Sequence, residues 1–111
     1  MNEQFIQKWM SQVKKGTLSY IVMGILNDEE LYGYELIERI KSYTDIEIAE
    51  GTLYPLLNRL KKSELVSSRW VEQESGIPRK YYQLTEVGRT TLEEMNQYWN
   101  DLSQSIKKIV G

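Results

Sequence analysis

The sequence predicts a mainly helical fold with one small β-hairpin. Near both ends of the chain, apolar side chains recur at alternating steps of three and four residues, the period of a helix that packs against another helix. Between these ends, residues 50–62 carry leucines along one helical face. Residues 65–84 contain two runs of β-favouring residues around a turn. A chain of 111 residues has room for one core.

Residues 3–27 predict the first helix. One apolar stripe runs along its whole length: Ile6, Trp9, Val13, Gly16, Tyr20 and Met23. A second stripe occupies another face in the latter half only: Leu18, Ile21, Val22 and Ile25. The first half therefore needs one neighbour and the second half needs two. Residues 27–30 form a polar break after this helix.

The middle of the chain predicts two further helices. Residues 32–43 form the first of them, with its buried side made by Leu36, Ile37, Ile40 and Tyr43. Residues 46–48 alternate in polarity and predict a brief strand. In the next helix, residues 50–62, the pattern alone favours a start near Thr52, which would place Pro55 in the first turn. Two helices joined by a short connection make a helix-turn-helix.

The second half of this region predicts a β-hairpin. Residues 65–73 and 79–84 are the strands, and residues 74–78 form the turn between them. On the second strand, Tyr82 and Leu84 share one face and are predicted to lie in the core. A helix with a polar, partly basic outer face followed by a hairpin with a basic exit describes a winged helix, an arrangement that binds double-stranded DNA.

Charge is unevenly distributed along the chain. From Asn58 to Lys80 there are six cationic and three anionic side chains, a local charge of +3, within a chain whose formal net charge is −2. A local basic patch, rather than the total charge of the chain, determines where a protein attracts the phosphate groups of DNA. The alternative is that these are ordinary solvated charges. Arg59 could equally pair with an acid of its own subunit, and Tyr34 could pack or contact a phosphate.

The polar face of residues 50–62 supplies the candidate DNA contacts. The Asn58 amide can bind an adenine edge with two hydrogen bonds, although a solvated surface asparagine is the alternative. Lys61 and Lys62 suit phosphates, which position the protein without specifying sequence. Arg79 and Lys80 face opposite ways on a strand, so at most one is expected to contact DNA directly. The predicted DNA-binding residues are Tyr34, Thr52, Tyr54, Asn58, Lys61, Lys62, Arg79 and Lys80.

After Thr85, a candidate N-cap, the chain predicts a helix to near its end. Its apolar stripe consists of Leu92, Met95, Trp99, Leu102, Ile106 and Ile109. Matching stripes at both ends of the chain predict a homodimer, although the two helices could instead pack within one subunit. We expect residues 1–85 to form the DNA-binding domain and residues 86–111 the dimerisation helix. The predicted interface residues are Ile6, Trp9, Val13, Leu92, Met95, Trp99, Leu102 and Ile106.

Trp99 and Trp9 lie on the interface stripes, and either simple packing or ligand stacking explains them. Flat rings at a subunit interface can sandwich an aromatic molecule, although bulky Tyr20 could fill such a pocket instead. The candidate ligand-binding residues are Val13, Tyr20, Asn96 and Trp99.

Catalysis is the function class that composition disfavours most. The chain has no histidine and no cysteine, so it has no imidazole base, no thiolate nucleophile and no ordinary zinc ligand set. We expect no enzyme activity, no cofactor and no metal. No apolar run approaches the roughly 18 residues of a membrane span, and no signal peptide is recognisable. These absences favour the cytoplasm and no membrane partner.

The sequence resembles the PadR family of bacterial transcriptional regulators, in the short subfamily with a single C-terminal helix. Three blocks carry the resemblance: Tyr32-Gly33-Tyr34-Glu35-Leu36, then Glu50-Gly51-Thr52-Leu53-Tyr54-Pro55-Leu56-Leu57-Asn58-Arg59-Leu60, then Gly76-Ile77-Pro78-Arg79-Lys80-Tyr81-Tyr82 with Leu84-Thr85 and Gly88. Ala49 departs from the family, in which a capping serine or asparagine is common there.

The resemblance implies a winged helix-turn-helix and a dimer built from the first and last helices. It further implies that residues 50–62 enter the major groove while the hairpin follows the phosphates or the minor groove. Members mostly repress, often near genes for efflux or phenolic-acid stress. Some short members hold flat aromatic ligands against a tryptophan that matches Trp99. The expected function is therefore a homodimeric repressor on a pseudo-palindromic operator, relieved by an aromatic effector; the alternative is a winged-helix dimer that binds protein and not DNA.

Overall fold

The computed structural model describes residues 2–111. Within them, four helices and three strands enclose one core. The elements in chain order are α1 (Glu3–Leu26), β1 (Leu31–Tyr32), α2 (Gly33–Thr44), α3 (Glu50–Lys62), β2 (Val66–Val71), β3 (Arg79–Leu84) and α4 (Glu86–Val110). This architecture confirms the mainly helical fold with a small sheet.

The core lies where α1, α2, α3 and the sheet meet. Its members are almost all aliphatic, namely Val22, Met23, Leu26, Leu31, Leu36, Ile40, Leu53, Leu56, Leu57, Leu60, Val66, Tyr82, Leu84 and Leu92. All four leucines of α3 belong to it, as the helical spacing predicted. Because one face of α3 is fixed in this core, its opposite face is held toward solvent.

Helix α3 begins two residues earlier than the apolar pattern indicated. It starts at Glu50, and the backbone N–H groups of Thr52 and Leu53 donate to the Ala49 carbonyl at 3.0 Å. The Ala49 side chain makes no cap hydrogen bond. Pro55 therefore lies inside the helix, where the residue four positions earlier is a glycine without a Cβ to crowd. The expected start near Thr52 was therefore wrong, because the helix accommodates Pro55 in its interior and not in its first turn.

Two details of the helix-turn-helix differ from expectation. Residues 46–48 form an irregular connection between α2 and α3, so the brief strand was wrong. The Ile46 N–H donates to the Thr44 hydroxyl, and the two isoleucines of this run pack against the core instead of pairing with a strand. Tyr43, placed on the buried side of α2 by its spacing, is 70% exposed because it lies at the last turn of the helix, beyond the core.

A third strand, β1, was not foreseen. It pairs antiparallel with β3, which gives the sheet order β1-β3-β2. Tyr32 lies opposite Tyr81 and their rings meet edge to face, with centroids 5.4 Å apart. Two residues are too few to give a strand pattern in the sequence. This short strand anchors the hairpin to the start of α2.

The hairpin forms the wing. Strands β2 and β3 pair in an unbroken register from Val66 opposite Leu84 to Val71 opposite Arg79. Tyr82 and Leu84 are buried on the face toward the helices, as predicted from strand alternation. Gly76 adopts a φ of +87° in the turn, a conformation that glycine accepts without strain.

The junction between the wing and α4 is tightly packed. The Thr85 hydroxyl accepts a hydrogen bond from the Gly88 N–H at 2.9 Å, which confirms Thr85 as the N-cap, and it donates to the Glu64 carbonyl at 2.7 Å. The Thr85 N–H also donates to the Leu65 carbonyl. A Cβ at position 88 would lie 2.1 Å from that Leu65 oxygen. Only glycine lets α4 start this close to β2.

Replacing Gly88 with alanine should therefore destabilise the protein. The added methyl meets backbone, which cannot rotate away, so we expect a loss of about 1–3 kcal/mol in the free energy of unfolding. Gly24→Ala is the matched control, because a Cβ there meets nothing within 4 Å and alanine is favoured in helix interiors. Urea denaturation of both variants at one protein concentration measures the difference. Equal midpoints for Gly88→Ala and the wild type would contradict this packing.

Candidate nucleic-acid interface

One stripe of α3 faces the wing. Tyr54, Asn58 and Lys61 are four and three residues apart, so they follow one another along the same side of the helix. A cleft of about 500 Å³ separates this side from the wing. It is lined by Tyr32, Gly33, Tyr54, Asn58, Trp70, Pro78, Arg79, Lys80 and Tyr82. The structure thus brings together four of the predicted DNA-binding residues: Tyr54, Asn58, Arg79 and Lys80.

Tyr54 is positioned by the absence of a side chain at Gly33. A Cβ on Gly33 would lie 2.2 Å from the Tyr54 hydroxyl oxygen and 2.6 Å from the ring carbon that bears it. The Tyr54 ring therefore lies directly against the first residue of α2. This contact holds the start of α2 close to the part of α3 where the candidate DNA contacts begin.

The two wing cations occupy opposite faces of β3. The Arg79 guanidinium lies 4.5 Å from the centroid of the Tyr32 ring. The Lys80 ammonium lies 5.6 Å from the centroid of the Trp70 ring and 6.0 Å from that of Tyr82. Both arrangements are cation–π contacts. Both cations line the cleft, and Lys80 lies on the face of β3 that carries Tyr82 toward the core.

Burial and a neighbouring charge alter the acid–base properties of this cleft. Burial lowers the pKa of Lys80, and the nearby Lys61 ammonium lowers it further. Burial also raises the pKa of the Tyr82 hydroxyl, with a smaller contribution from Tyr54. Among the ion pairs of residues 2–111, no carboxylate contacts Lys61 or Lys80. The cleft is consequently positive and uncompensated.

Arg69 contributes less to this positive surface than its place in the sequence suggested. Its guanidinium binds Glu30 through two hydrogen bonds of 2.7 and 2.6 Å. The hydrogen bond from Arg69 lowers the pKa of the Glu30 carboxyl, whereas partial burial opposes this shift. One of the six cations in the segment 58–80 is therefore neutralised within the subunit. The pair also joins β2 to the residues that precede β1.

The remaining predicted contacts lie outside the cleft. Tyr34 is 56% exposed at the start of α2, Lys62 is exposed at the end of α3, and Lys61 is half-buried there without lining the cleft. Thr52 and Arg59 line a separate cavity of about 590 Å³ beside α1, together with Lys15. The ion pairs of the described residues leave Arg59 without a carboxylate. Three sides of α3 therefore present predicted residues, and only one of them faces the wing.

Trp70 and Tyr32 are cleft residues that sequence reasoning missed. The register pairs Trp70 directly with Lys80, so the indole supports the lysine from the neighbouring strand. Counting back from the turn could have placed Trp70 opposite Lys80. Tyr32 carried no such signal, because its position depends on the unforeseen pairing of β1 with β3.

A second, mainly apolar cavity of about 800 Å³ lies between α1 and α4. It is lined by Trp9, Val13, Gly16, Thr17, Tyr20, Thr91, Glu94, Met95, Tyr98, Trp99, Leu102 and Ile106. Three of the four candidate ligand-binding residues, Val13, Tyr20 and Trp99, share this cavity. Glu94 is the one charged residue among the described residues that line it.

Asn96, the fourth candidate, lies beside a different cavity. The Tyr20 hydroxyl donates to the Asn96 side-chain oxygen at 2.5 Å, and the Tyr20 ring lies 5.9 Å from that of Trp99. A cleft of about 540 Å³ lies on the other side of Tyr20 and is lined by Asn96, Asp28 and Glu29, among others. Tyr20 therefore separates an apolar cavity from a polar one, and Asn96 holds it there.

The predicted interface residues divide into two groups. The interface residues of α1 and the later ones of α4 are at least 38% exposed: Ile6, Trp9, Val13, Trp99, Leu102 and Ile106. Leu92, in contrast, is 6% exposed and belongs to the core, and Met95 is half-buried against it. Leu92 therefore packs mainly within its own subunit.

None of the helices in residues 2–111 is both long enough and apolar enough to cross a membrane. No group of acidic side chains in this part of the chain is arranged to hold a metal ion.

A helix-turn-helix with a basic wing, anchored by one core, defines a winged-helix DNA-binding regulator. The family model described as the transcriptional regulator PadR-like family matches residues 22–94. The chain belongs to this family. Its members are transcriptional regulators, which are generally not enzymes.

Several known proteins are similar to this chain. A PadR-like transcription factor from Bacteroides fragilis is 41% identical, with a TM-score of 0.79, over 93% of this chain and 99% of the other. A PadR family transcriptional regulator from Eggerthella lenta is 32% identical, with a TM-score of 0.88, over 97% and 94% of the two chains. The transcriptional regulator YqjI of Escherichia coli is 33% identical over 94 residues, and the chain spans 44% of its length.

Proposed function

We propose that this protein is a homodimeric repressor that binds a pseudo-palindromic operator and is released by a small aromatic molecule. The single observation that supports it best is the contrast in chemistry between two surfaces of the subunit. One surface, formed by α3 and the wing, is polar and basic; the other, formed by α1 and α4, is apolar and uncovered. In this proposal residues 1–85 bind DNA and residues 86–111 complete the dimer.

The DNA-binding part of the proposal depends on how α3 is mounted. Four buried leucines fix one side of the helix, and the exposed Asn58 and Lys62 lie on the other. An amide on such a helix can read an adenine edge in the major groove. Lysine ammonium groups and the wing cations suit phosphates, which fix the register on the duplex. Direct recognition is therefore assigned to Asn58, and positioning to the lysines.

The dimeric part depends on apolar surface that a single subunit leaves exposed. Trp9 is 54% exposed and Ile106 is 46% exposed, and both lie on stripes with the spacing of paired helices. Contiguous exposed apolar surface of this kind marks an interaction site. A second copy is the simplest partner, because each copy carries both stripes and the contact closes by two-fold symmetry. Two recognition helices would then meet two operator half-sites.

The effector part depends on the cavity between α1 and α4. Trp9, Tyr98 and Trp99 give it aromatic walls, and its volume lies in the range of small-molecule sites. Glu94 favours a ligand that is neutral or cationic over an anion. Because this cavity borders the proposed dimer contact, a bound ligand can favour one spacing of the two subunits. A ligand indifferent to that spacing would leave operator affinity unchanged.

Two variants of α3 should separate recognition from positioning. Lys62→Ala should weaken binding similarly on operator and random DNA and reduce the log–log salt slope by about one unit. Asn58→Ala should instead erode the preference for the operator by about 1–3 kcal/mol per half-site. Operators are first selected from genomic DNA with the purified protein, and affinities are then measured over a salt series.

Two outcomes of this measurement would contradict parts of the proposal. Equal losses on operator and random DNA for Asn58→Ala would reduce that residue to a positioning role. A wild-type protein without a log-linear salt slope would contradict DNA binding itself. That last result would favour the alternative of a winged-helix dimer that binds only protein.

A charge on the α4 stripe should dissociate the dimer. Ile106→Glu places a carboxylate in the proposed interface of both subunits, so we expect the dimer dissociation constant to rise by at least tenfold, or about 1.4 kcal/mol. Because Ile106 is 46% exposed in one subunit, the substitution leaves the core intact. Gln104→Glu adds the same charge on the other side of α4. Analytical ultracentrifugation at micromolar concentration compares them, and an unweakened Ile106→Glu dimer would refute the interface.

Trp99→Ala should weaken the binding of flat aromatic compounds. Stacking on an aromatic ring contributes about 0.5–1.5 kcal/mol beyond burial, so together with lost burial we expect a tenfold or greater loss of affinity. Calorimetry with a panel of planar dyes and drugs is the measurement, because Trp9 and Trp70 complicate fluorescence. Trp70→Ala controls for a tryptophan outside the cavity. No heat from the panel with an intact dimer would leave Trp99 as a packing residue.

A further inference from the structure

An ion pair crosses one face of the three-stranded sheet. The Arg69 guanidinium donates two hydrogen bonds, of 2.7 and 2.6 Å, to the Glu30 carboxylate. Arg69 lies on β2, and Glu30 immediately precedes β1. Because the sheet order is β1-β3-β2, the pair joins the two edge strands over the central one. Neighbouring strands lie about 4.8 Å apart, so the pair reaches across roughly 10 Å of sheet.

The strand register places this pair on the face opposite the core. Arg69 and Tyr32 both lie directly opposite Tyr81, whereas the next residue, Tyr82, is buried toward the helices. Successive side chains of a strand point to opposite faces, so Arg69 shares the face of Tyr81 and Lys80 shares that of Tyr82. The ion pair therefore holds the sheet from the side that does not carry Lys80.

Few polar contacts tie the edge strand β2 to the helix-turn-helix. Strand β1 pairs with β3 through two residues. Apart from the bonds of Arg69, no side-chain hydrogen bond or ion pair of residues 2–111 reaches β2 from the helix-turn-helix. Strand β1 runs directly into α2, so Glu30 is joined to the start of that helix by a short extended segment. A two-bond arginine–carboxylate pair fixes orientation as well as distance.

We propose that the Glu30–Arg69 pair is a clasp that positions the wing for DNA, and that Arg69 contributes to affinity without contacting a phosphate. The inference rests on the proposed function and deepens it. The Glu30 carboxylate occupies the Nε and Nη2 edge of the guanidinium. Arginine uses the same two-bond geometry to bind a phosphate. While the clasp is closed, this edge is not free for DNA, and Arg69 is a positioning residue.

The sign of one substitution separates the clasp from a direct contact. Removing a carboxylate from a DNA-binding surface ordinarily strengthens binding, because repulsion of the phosphates is lost. Glu30→Met would do the same if it released Arg69 for a phosphate. The clasp predicts the opposite sign, a loss of affinity of about threefold to fivefold, on the scale of an ion pair with partly exposed members.

Arg69→Met should weaken binding to a similar extent, with the slope of log affinity against log salt nearly unchanged. A lost phosphate contact would instead reduce that slope by about 0.9. The double variant should bind like either single variant, because both substitutions break the same contact. If the two charges acted independently, a gain from Glu30→Met and a loss from Arg69→Met would cancel.

The experiment measures binding of the operator selected from genomic DNA by fluorescence anisotropy over a salt series, with the full chain. Glu72→Met is the matched control for a lost carboxylate, because Glu72 is exposed on the wing and forms no ion pair within residues 2–111. It should not weaken binding. Lys62→Met is the control for a phosphate contact, and its slope should fall by about 0.9.

Two results overturn the clasp while DNA binding stands. One is unchanged or tighter binding by Glu30→Met, and the other is a slope loss near 0.9 for Arg69→Met. A wild type without any salt slope overturns the proposed function, and the clasp with it.

A measurement without DNA separates positioning from a loss of folding. Urea denaturation should show Glu30→Met and Arg69→Met fully folded before denaturant is added, because a partly exposed ion pair is a small part of total stability. Amide hydrogen exchange should nevertheless become faster at Leu31, Tyr32 and their partners on β3, and stay unchanged in α3. Unchanged exchange along β1, or a largely unfolded variant, overturns the clasp as a positioning device.

Discussion

The contact between Tyr54 and Gly33 is the constraint on which the DNA-binding surface depends. The ring of Tyr54 occupies the space that any other residue at position 33 would fill. The contact joins the start of α2 to the side of α3 that faces the wing. It lies beside β1, whose pairing with β3 ties the wing to the same place. The contacts that hold α2 against α3 and those that hold the wing against α2 thus lie next to each other.

A second constraint acts at the opposite end of the wing. Gly88 lets α4 begin against the Leu65 carbonyl, and Thr85 fixes that start with hydrogen bonds to both neighbouring segments. The wing is therefore held by β1 on one side and by the start of α4 on the other. Arg79 and Lys80 have distinct environments because adjacent residues of β3 point to opposite faces of this anchored sheet.

The periodic parts of the fold were predictable from the sequence. In amphipathic helices and half-buried strands, apolar residues recur with the period of the element, and this spacing can be read directly. The four leucines of α3, the core residues Tyr82 and Leu84, and the N-cap Thr85 all follow from such patterns.

What failed depended on contacts between distant residues. The two-residue strand β1 exists only because β3 is beside it. The pairing of Arg69 with Glu30 likewise spans 39 positions in the chain. The start of α3 was missed for a local reason, because Gly51 leaves room for Pro55 inside the helix. Leu92 carried the same stripe signal as Trp99, yet one is buried by its own subunit and the other is not.

Helix α1 is a single rod that takes part in both the core and the apolar surface shared with α4. Its second half lies in the core beside α2, and its first half carries Trp9 and Val13 along the apolar cavity. At about 1.5 Å per residue, its 24 residues span roughly 36 Å. A tilt of about 10° at one end moves the other by roughly 6 Å, against half-sites that are about 34–36 Å apart. In the proposed dimer the helix would act as a lever arm, through which a small adjustment around a ligand would become a misfit with the operator.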